Sequence, residues 1–580
     1  MCYSKRNEVP VNLNVLDGCY QIDRRIDDIK TNALHFALLK GLFGVVTTTL
    51  NSIRSLAKEK SNTYINLLLL ASASGKEILV NALQPDSSTF SQDLTPLFIS
   101  AFHGHFNIVK LLLDKNIDVN TYNEYCESPL YISAKDGHEK IVKMLIDKDA
   151  AVNTCKQNGE SPLYVSAMNG HDKIVKLLID NKANVNNCDK DGMSPLYVSA
   201  AYGHDKIVKL LIDNKADVNN CDKDGRSPLY VSAANGHDKL VKLLIDNKTN
   251  VNNCDKDGRS PLYVSAANGH DKIVKLLIDN KADVNNCDKD GMSPLYVSAA
   301  NGHDKIVKLL IDNKANVNNC DKDGMSPLYV SAANGHDKIV KLLTDNKADV
   351  NNCDKDGKSP LYISSQNGHD HIVKLLIDNK ADVNKCDKYG ELPLHKSINN
   401  GHDKIVKLSI DNKADVNIFD EGGMSPLYLS AMTGNDKIVK LLIDNKANVN
   451  NCDEDGESPL YVSARYGYNK IKKKANVNKC DKDGKSPLYV SARNGHDKTV
   501  KLLIDNKANV HKCDKDGKSP LYVSSMNGHD KIVKLLIDKK ANVFDCDKDG
   551  KSPLYVSSWN GHHKIVKLLI DNKANVNDCD

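Results

Sequence analysis

The sequence predicts an all-α solenoid in which short paired helices stack one repeat on the next. Three observations lead to this prediction: a motif that returns every 33 residues, a turn and helix-start signal at the same place in each copy, and an apolar stripe that follows it. Units this small cannot bury their apolar faces alone and must stack on neighbours. The 580 residues are therefore expected to form a repeating array and not several separate cores.

The proline of a Ser-Pro-Leu-Tyr motif, or of a close variant, sets the register of the repeats. Its steps are 33 residues, with one step of 28 before the last three copies. Fifteen units are recognisable, with prolines at Pro96, Pro129, Pro162, Pro195, Pro228, Pro261, Pro294, Pro327, Pro360, Pro393, Pro426, Pro459, Pro487, Pro520 and Pro553.

One unit illustrates why each repeat should contain two helices. Asp222-Lys223-Asp224-Gly225 is a turn sequence, and Ser227-Pro228 supplies an N-cap followed by a proline at the first helical position. Gly236 ends this helix in the left-handed conformation, and Asp238 opens a second helix with an apolar stripe at helical spacing. We expect Asn247 to end the second helix, also in the left-handed conformation.

The unit resembles the ankyrin repeat in its length, its turn and its two helices. The residues that carry the resemblance are Ser-Pro-Leu-Tyr-x-x-Ala and Gly-His-x-x-Ile-Val-Lys-Leu-Leu, and it covers about residues 90–580. Tyr replaces the usual His of the first motif in most units, although His395 keeps it, and Lys replaces the usual Gly after the second helix. The resemblance implies a curved, elongated superhelix of helix-turn-helix units joined by β-turn or hairpin loops.

We predict five segments along the chain. Residues 1–31 show no clear pattern, 32–89 resemble two degenerate capping repeats, and 90–466 form a regular array. Residues 467–474 lack the second-helix stripe, so we expect a short or absent helix and a weak point there. Residues 475–580 hold three final units, and the last keeps its apolar stripe with no polar cap, so we expect the native array to continue.

Composition and charge exclude several classes of protein. The net charge is only +4, with 79 basic and 75 acidic residues interleaved, so no nucleic-acid partner is expected. The apolar run Leu67–Ala71 is far shorter than the roughly 20 residues that span a bilayer. The residues after Met1 are not followed by an apolar stretch, so we expect no signal peptide. We expect a soluble intracellular protein without direct membrane insertion, in the cytoplasm, with the nucleus left open.

The regularly spaced Cys and His residues are predicted to be structural. Copies of Cys155 recur every 33 residues and should lie roughly 8–10 Å apart. That spacing is too large for a disulfide and leaves no four ligands to converge on zinc. Each His, such as His237, follows the inter-helix Gly and should hydrogen-bond loop backbone. The acidic turn resembles a calcium loop but has Val198 where a bidentate Glu is needed. We expect no enzyme activity, no metal and no cofactor.

Surface variation between copies marks the candidate partner-binding positions. By the resemblance, the turn tips and first helices line a concave groove, where Met, Arg and aromatic residues are suited to interfaces. The candidates before Ser-Pro are Met193, Arg226, Arg259, Met292, Met325 and Lys358. Those near the inter-helix Gly are Tyr202, Arg465, Arg493 and Trp559.

These positions favour a non-catalytic scaffold that binds partner proteins through the groove. Two alternatives stay open: a regulatory subunit that targets a phosphatase or ubiquitin ligase, and a membrane–cytoskeleton adaptor. The resemblance also implies a possible Asn hydroxylation, because Leu277 and Asp283-Val284-Asn285 fit the motif modified in similar arrays.

Overall fold

The computed structural model describes residues 62–83, 95–468 and 475–576. These residues form 31 helices and no strand, in successive pairs, which confirms the predicted all-α repeat architecture. The chain divides into two compact units, Met1–Lys256 and Asp257–Asp580. The predicted shortening of the second helix at 467–474 falls mostly on residues 469–474, outside the described residues.

The first unit contains twelve of these helices. Their bounds are α1 Asn62–Ala73, α2 Glu77–Leu83, α3 Pro96–Phe102, α4 Phe106–Asp114, α5 Pro129–Lys135, α6 Glu139–Asp147, α7 Pro162–Met168, α8 Asp172–Asp180, α9 Pro195–Ala201, α10 Asp205–Asp213, α11 Pro228–Ala234 and α12 Asp238–Asp246.

The second unit contains the other nineteen. Their bounds are α13 Pro261–Ala267, α14 Asp271–Asp279, α15 Pro294–Ala300, α16 Asp304–Asp312, α17 Pro327–Ala333, α18 Asp337–Asp345, α19 Pro360–Asn367, α20 Asp370–Asp378, α21 Pro393–Asn399, α22 Asp403–Asp411, α23 Pro426–Thr433, α24 Asp436–Asp444, α25 Pro459–Tyr466, α26 Pro487–Arg493, α27 Asp497–Asp505, α28 Pro520–Met526, α29 Asp530–Asp538, α30 Pro553–Trp559 and α31 His563–Asp571.

The first helix of each repeat begins as the sequence predicts. In α11 the Ser227 hydroxyl accepts a hydrogen bond from the Tyr230 backbone N–H at 3.1 Å, and Pro228 occupies the first helical position. The serine satisfies one of the amides that a helix start leaves without a partner. Gly236 follows the helix with φ +80°, the left-handed conformation that glycine adopts without strain.

The second helix ends differently from the prediction. Asn247 keeps φ −96°, and Lys248 is the residue in the left-handed conformation, with φ +64°. Asn247 uses its side-chain amide to donate to the Leu243 carbonyl at 2.8 Å, which holds it close to the helix. The left-handed turn therefore falls one residue later, on a lysine that bears the associated strain.

Packing between consecutive repeats supplies the core of each unit. First helices pack against the first helices of neighbouring repeats and against their own second helices, as α15 does with α17 and α16. The stripe residues Val307 and Leu310 of α16 are fully buried. Burial of such side chains contributes about 1.5–3 kcal/mol each. No helix in the described ranges is both long and apolar enough to cross a membrane.

Candidate partner-binding face

The exposed face that carries the candidate residues is built from parts that recur in each repeat. In each unit, we call turn–helix face the surface made by the Asp-Lys-Asp-Gly turn tips, the residue before each Ser-Pro pair, and the last residues and C-caps of the first helices. Met193, Arg226 and Tyr202 lie on this face of the first unit, and the other predicted partner-binding residues lie on that of the second.

In most repeats a partly or fully buried hydrogen bond between Tyr and Asp fixes the turn to the preceding repeat. Asp189 accepts backbone hydrogen bonds from Asp191 and Met193, at 2.9 Å each, and a third from the Tyr164 hydroxyl at 3.0 Å. Burial, helped by the neighbouring carboxylate, raises the pKa of Tyr164 well above its usual value, so the hydroxyl stays a donor. The Tyr that replaces the usual His therefore has a structural role between repeats.

The same Tyr–Asp bond recurs along both units. Its length lies between 2.6 and 3.0 Å in the pairs Tyr164–Asp189, Tyr197–Asp222, Tyr230–Asp255, Tyr263–Asp288, Tyr296–Asp321, Tyr329–Asp354, Tyr362–Asp387, Tyr461–Asp481, Tyr489–Asp514 and Tyr522–Asp547.

Backbone hydrogen bonds also join successive turn tips. The Lys190 N–H donates to the Asn158 carbonyl at 2.7 Å, and the Lys223 N–H donates to the Asp191 carbonyl at the same distance. Gly192 has φ +83°, and a Cβ on it would stand only 3.2 Å from the Lys223 nitrogen. The tips are thus held in register, while their side chains project outward.

The residues before Ser-Pro are half-buried, and the basic ones are paired within their own turns. Arg226 lies 3.1 Å from Asp224, Lys358 lies 3.1 Å from Asp356, and Arg259 pairs with Asp257. Ion pairs that are partly exposed in this way contribute little to stability. A partner protein can therefore replace the Asp of such a pair with its own acidic group at little cost in stability.

Methionine occupies the same half-buried position in Met193, Met292 and Met325. Its flexible, polarizable side chain adapts to irregular partners. From Met193 to Lys358 the position before Ser-Pro therefore offers either an apolar contact or a basic group.

Two of the predicted residues are strongly exposed aromatic side chains. Tyr202 is 62% exposed and stacks beside His204, with ring centroids 6.4 Å apart. Trp559 is 79% exposed and stacks on Tyr555 at 6.2 Å. Large rigid aromatic groups with this much free surface suit a role as anchors for a partner.

Arg465 and Arg493, which are separated in sequence, line one pocket of about 440 Å³. Arg465 pairs with Glu457 and lies over the Tyr461 ring at 5.1 Å. Burial raises the pKa of Glu457. The other residues of the pocket wall are Asp455, Asp481, Lys482, Asp483, Lys485, Val490 and Asn494. Acidic and basic side chains both line this pocket, so it presents both signs of charge.

Sequence reasoning missed this pocket and several exposed aromatic side chains. The three most exposed of these are Tyr125, Phe544 and Tyr389, at 55%, 50% and 49%. Tyr389 occupies the turn-tip position where most units have Asp, and Lys388 lies 5.0 Å from its ring centre. An aromatic residue inside the Asp-Lys-x-Gly turn was the signal that could have identified it.

The recurrent histidines lie between repeats. A hydrogen bond of 3.1 Å joins the His336 Nε2 to the Ala300 carbonyl of the preceding repeat. The sequence predicted a hydrogen bond to loop backbone. The observed partner is a backbone carbonyl at the end of the first helix of the preceding repeat.

The recurrent cysteines are free thiols wherever the structure describes them. Cys320 donates to the Asn318 carbonyl at 3.4 Å and accepts from the Asn352 amide at 2.8 Å. Burial raises the pKa of the Cys353 thiol, which disfavours the reactive thiolate. Within the described ranges no group of three or more His, Cys, Asp or Glu residues could hold a metal ion.

Comparison with known proteins gives one family and no curated relative. The family model described as ankyrin repeats, in three copies, matches residues 56–154, 130–222, 200–288, 266–354, 346–420, 399–474, 469–544 and 506–580. No curated protein matches the chain.

Proposed function

Since the chain belongs to the ankyrin repeat family, we propose that it is a non-catalytic scaffold that binds partner proteins through its turn–helix face. Ankyrin repeats are generally protein–protein interaction modules, and the family is typically non-catalytic. The observation that carries the proposal is a contrast within the chain. The Tyr–Asp bonds and backbone turn contacts repeat almost unchanged, while the side chains that project from them vary.

The varied positions have the chemistry of a binding surface. Met193, Arg226 and Tyr202 are residue types enriched in the cores of protein interfaces. The framework beneath them is held by hydrogen bonds in each repeat, so little backbone freedom is lost on binding. Many modest contacts along such a face sum to a useful affinity when one partner spans several repeats.

The pocket between Arg465 and Arg493 is the contact region we favour in the second unit. Its mixed charges suit a partner segment that carries both an acidic and a basic side chain. The basic side chain of such a segment can pair with Glu457 while its acidic side chain pairs with Arg465. Every charge then keeps a partner, and Glu457 is not left buried and unpaired.

Two further features belong to the same proposal. We place the protein in the cytoplasm, where its partners would be intracellular. We also assign Asn285 as a candidate for hydroxylation. Its side-chain oxygen accepts a hydrogen bond from the Asn316 backbone at 2.8 Å, so a hydroxylase must open the loop to reach it.

The experiment is an affinity capture with the full chain and two matched variants. The face variant replaces Met193, Arg226, Arg259, Met292 and Met325 by Ser. The control variant replaces five exposed lysines of the second helices by Ser: Lys176, Lys209, Lys242, Lys275 and Lys308.

The proposal predicts that the parent and the control variant retain the same partners and that the face variant loses them. All three proteins must show the same helical circular dichroism. Retention of those partners by the face variant would mean that binding occurs elsewhere on the chain.

A further inference from the structure

Ten repeats place an Asn-Gly pair at the end of the first helix, which is the dipeptide most prone to spontaneous deamidation. The asparagines are Asn169, Asn235, Asn268, Asn301, Asn334, Asn367, Asn400, Asn494, Asn527 and Asn560. Glycine has no side chain to hinder its backbone nitrogen, which is the attacking atom in this reaction. The pairs are chemically identical, so any difference between them must come from the surrounding structure.

In most of these repeats a histidine of the following repeat covers the glycine. On Gly528 a Cβ would stand 2.7 Å from Cε1 of His562, and the same contact is 2.7 Å between Gly368 and His402. The Nε2 of His562 is also hydrogen-bonded to the Met526 carbonyl at 3.0 Å. Rotation of the Asn-Gly peptide in such a loop must displace the ring and break that bond.

The pair Asn400-Gly401 lacks this cover. The residue at the histidine position is Asn435, and its amide is 4.0 Å from where a Cβ on Gly401 would stand. Asn435 donates instead to Asp403 at 2.8 Å, away from the glycine. Gly401 is exposed, whereas Gly528 is only half-exposed.

In backbone conformation and in the hydrogen bond of the asparagine side chain the two loops are closely matched. Asn400 has φ −94° and ψ 1°, and Asn527 has φ −94° and ψ 4°. The Asn400 amide donates to the Gln366 carbonyl at 2.8 Å, and the Asn527 amide donates to the Arg493 carbonyl at 3.1 Å. They differ at the attacking nitrogen: the Gly401 N–H donates to the Ile398 carbonyl at 3.0 Å, a bond that must open before reaction and that Gly528 does not make with Ser525.

We propose that Asn400 is a selective site of deamidation in the folded chain, because no histidine covers Gly401. The Gly401 nitrogen, after giving its proton to solvent, bonds to the side-chain carbonyl carbon of Asn400. The amide nitrogen takes a proton from solvent, its bond to that carbon breaks, ammonia leaves and a cyclic succinimide forms. One water molecule then opens the ring at either carbonyl and gives Asp or isoaspartate.

The product changes the charge of the turn–helix face. Asn400 occupies the position that Tyr202 has in another repeat, beside the end of a first helix. A carboxylate at this position faces two groups of negative partial charge. One is the Gln366 carbonyl, which accepts a hydrogen bond from the intact Asn400, and the other is the negative end of the α21 dipole. Both interactions are repulsive, so deamidation weakens the contact of this repeat with the preceding one.

The test is incubation of the folded full chain in mildly alkaline buffer, followed by proteolysis and mass spectrometry of isoaspartate. Asn400 and Asn527 lie in peptides of different sequence, so each conversion is followed separately. We expect Asn400 to convert severalfold faster, because opening of the Asn527 loop must displace the His562 ring as well as break its hydrogen bond, whereas Asn400 needs only the bond from Gly401 to Ile398 to open. In the denatured chain the rates should be equal.

Reciprocal substitutions decide whether the histidine cover is the cause. Asn435→His should slow Asn400 to the rate of Asn527, and His562→Asn should accelerate Asn527 to the rate of Asn400. Equal rates of the two sites in the folded parent would overturn the proposal, as would a faster Asn400 that Asn435→His leaves unchanged.

Discussion

Replacement of Tyr522 by Phe removes one hydrogen bond of the Tyr–Asp series without changing the shape of the core. The Tyr522 hydroxyl donates to Asp547 at 2.6 Å, and Asp547 is 8% exposed. A hydrogen bond to a charged group contributes about 1.5–3 kcal/mol. Asp547 keeps two backbone donors, from Asp549 and Lys551, so we expect a loss near the lower limit, about 1.5 kcal/mol.

The loss should depend on pH in a defined direction. Burial raises the pKa of Asp547, but the hydrogen bonds from Tyr522 and the two amides outweigh burial and leave that pKa below its usual value. A lowered pKa in the folded state contributes stability that is present above the unfolded pKa and is lost as pH falls through the folded value. The difference between parent and Tyr522→Phe should be constant near neutrality and shrink below about pH 4.

Hydrogen exchange resolved by residue is the appropriate assay, because unfolding of a repeat array is not a single transition. Amides of α30 and α31 should exchange about tenfold faster in Tyr522→Phe. Amides of the distant α16 should not change, since each repeat contacts only its neighbours. A double-mutant cycle with Asp547→Asn isolates the pair. Unchanged exchange in α30 and α31, or an equal increase throughout the chain, would refute the reasoning.

Three further substitutions test other parts of the repeat, each by hydrogen exchange resolved by residue, which reports the stability of single repeats. Ser326→Ala removes the hydroxyl that accepts from Tyr329 N–H at 3.1 Å and should lower local stability by about 1 kcal/mol, whereas unchanged exchange in α17 would contradict the capping role. Gly302→Ala places a Cβ 2.8 Å from His336 at φ +81° and should cost more than about 1 kcal/mol; a cost within error would show that the loop relaxes freely. Lys314→Gly relieves a left-handed lysine at φ +67° and should raise stability by about 0.5–1 kcal/mol, which a loss of stability would disprove.

Local signals were sufficient to predict the architecture. The Ser-Pro start, the Gly that ends the first helix and the apolar stripe of the second helix act within a few residues, and the structure has each where the sequence placed it. The left-handed Lys248 was not predicted. Asparagine tolerates the left-handed conformation, so Asn247 was expected to adopt it, but the hydrogen bond from its side chain to the Leu243 carbonyl keeps Asn247 close to the helix.

Features that depend on neighbouring repeats could not be read from a single unit. The partner of the Tyr164 hydroxyl lies 25 residues away, and the ion pairs of Arg226 and Lys358 depend on side-chain orientation. The pocket at Arg465 and Arg493 arises where the period falls to 28 residues. The sequence indicated this break but not the cavity beside it. Assignment of these residues to partner binding stays a prediction.

The most direct measurement is a hydrogen-exchange footprint of the full chain with and without a captured partner. Binding through the turn–helix face should slow exchange in the turn tips around Asp191 and Asp323, and around the pocket at Arg465 and Arg493. The exposed second-helix surface around Lys209 and Lys308 should exchange as in the free protein. Protection confined to the second helices would contradict the account and move the binding site to the opposite side of the repeats.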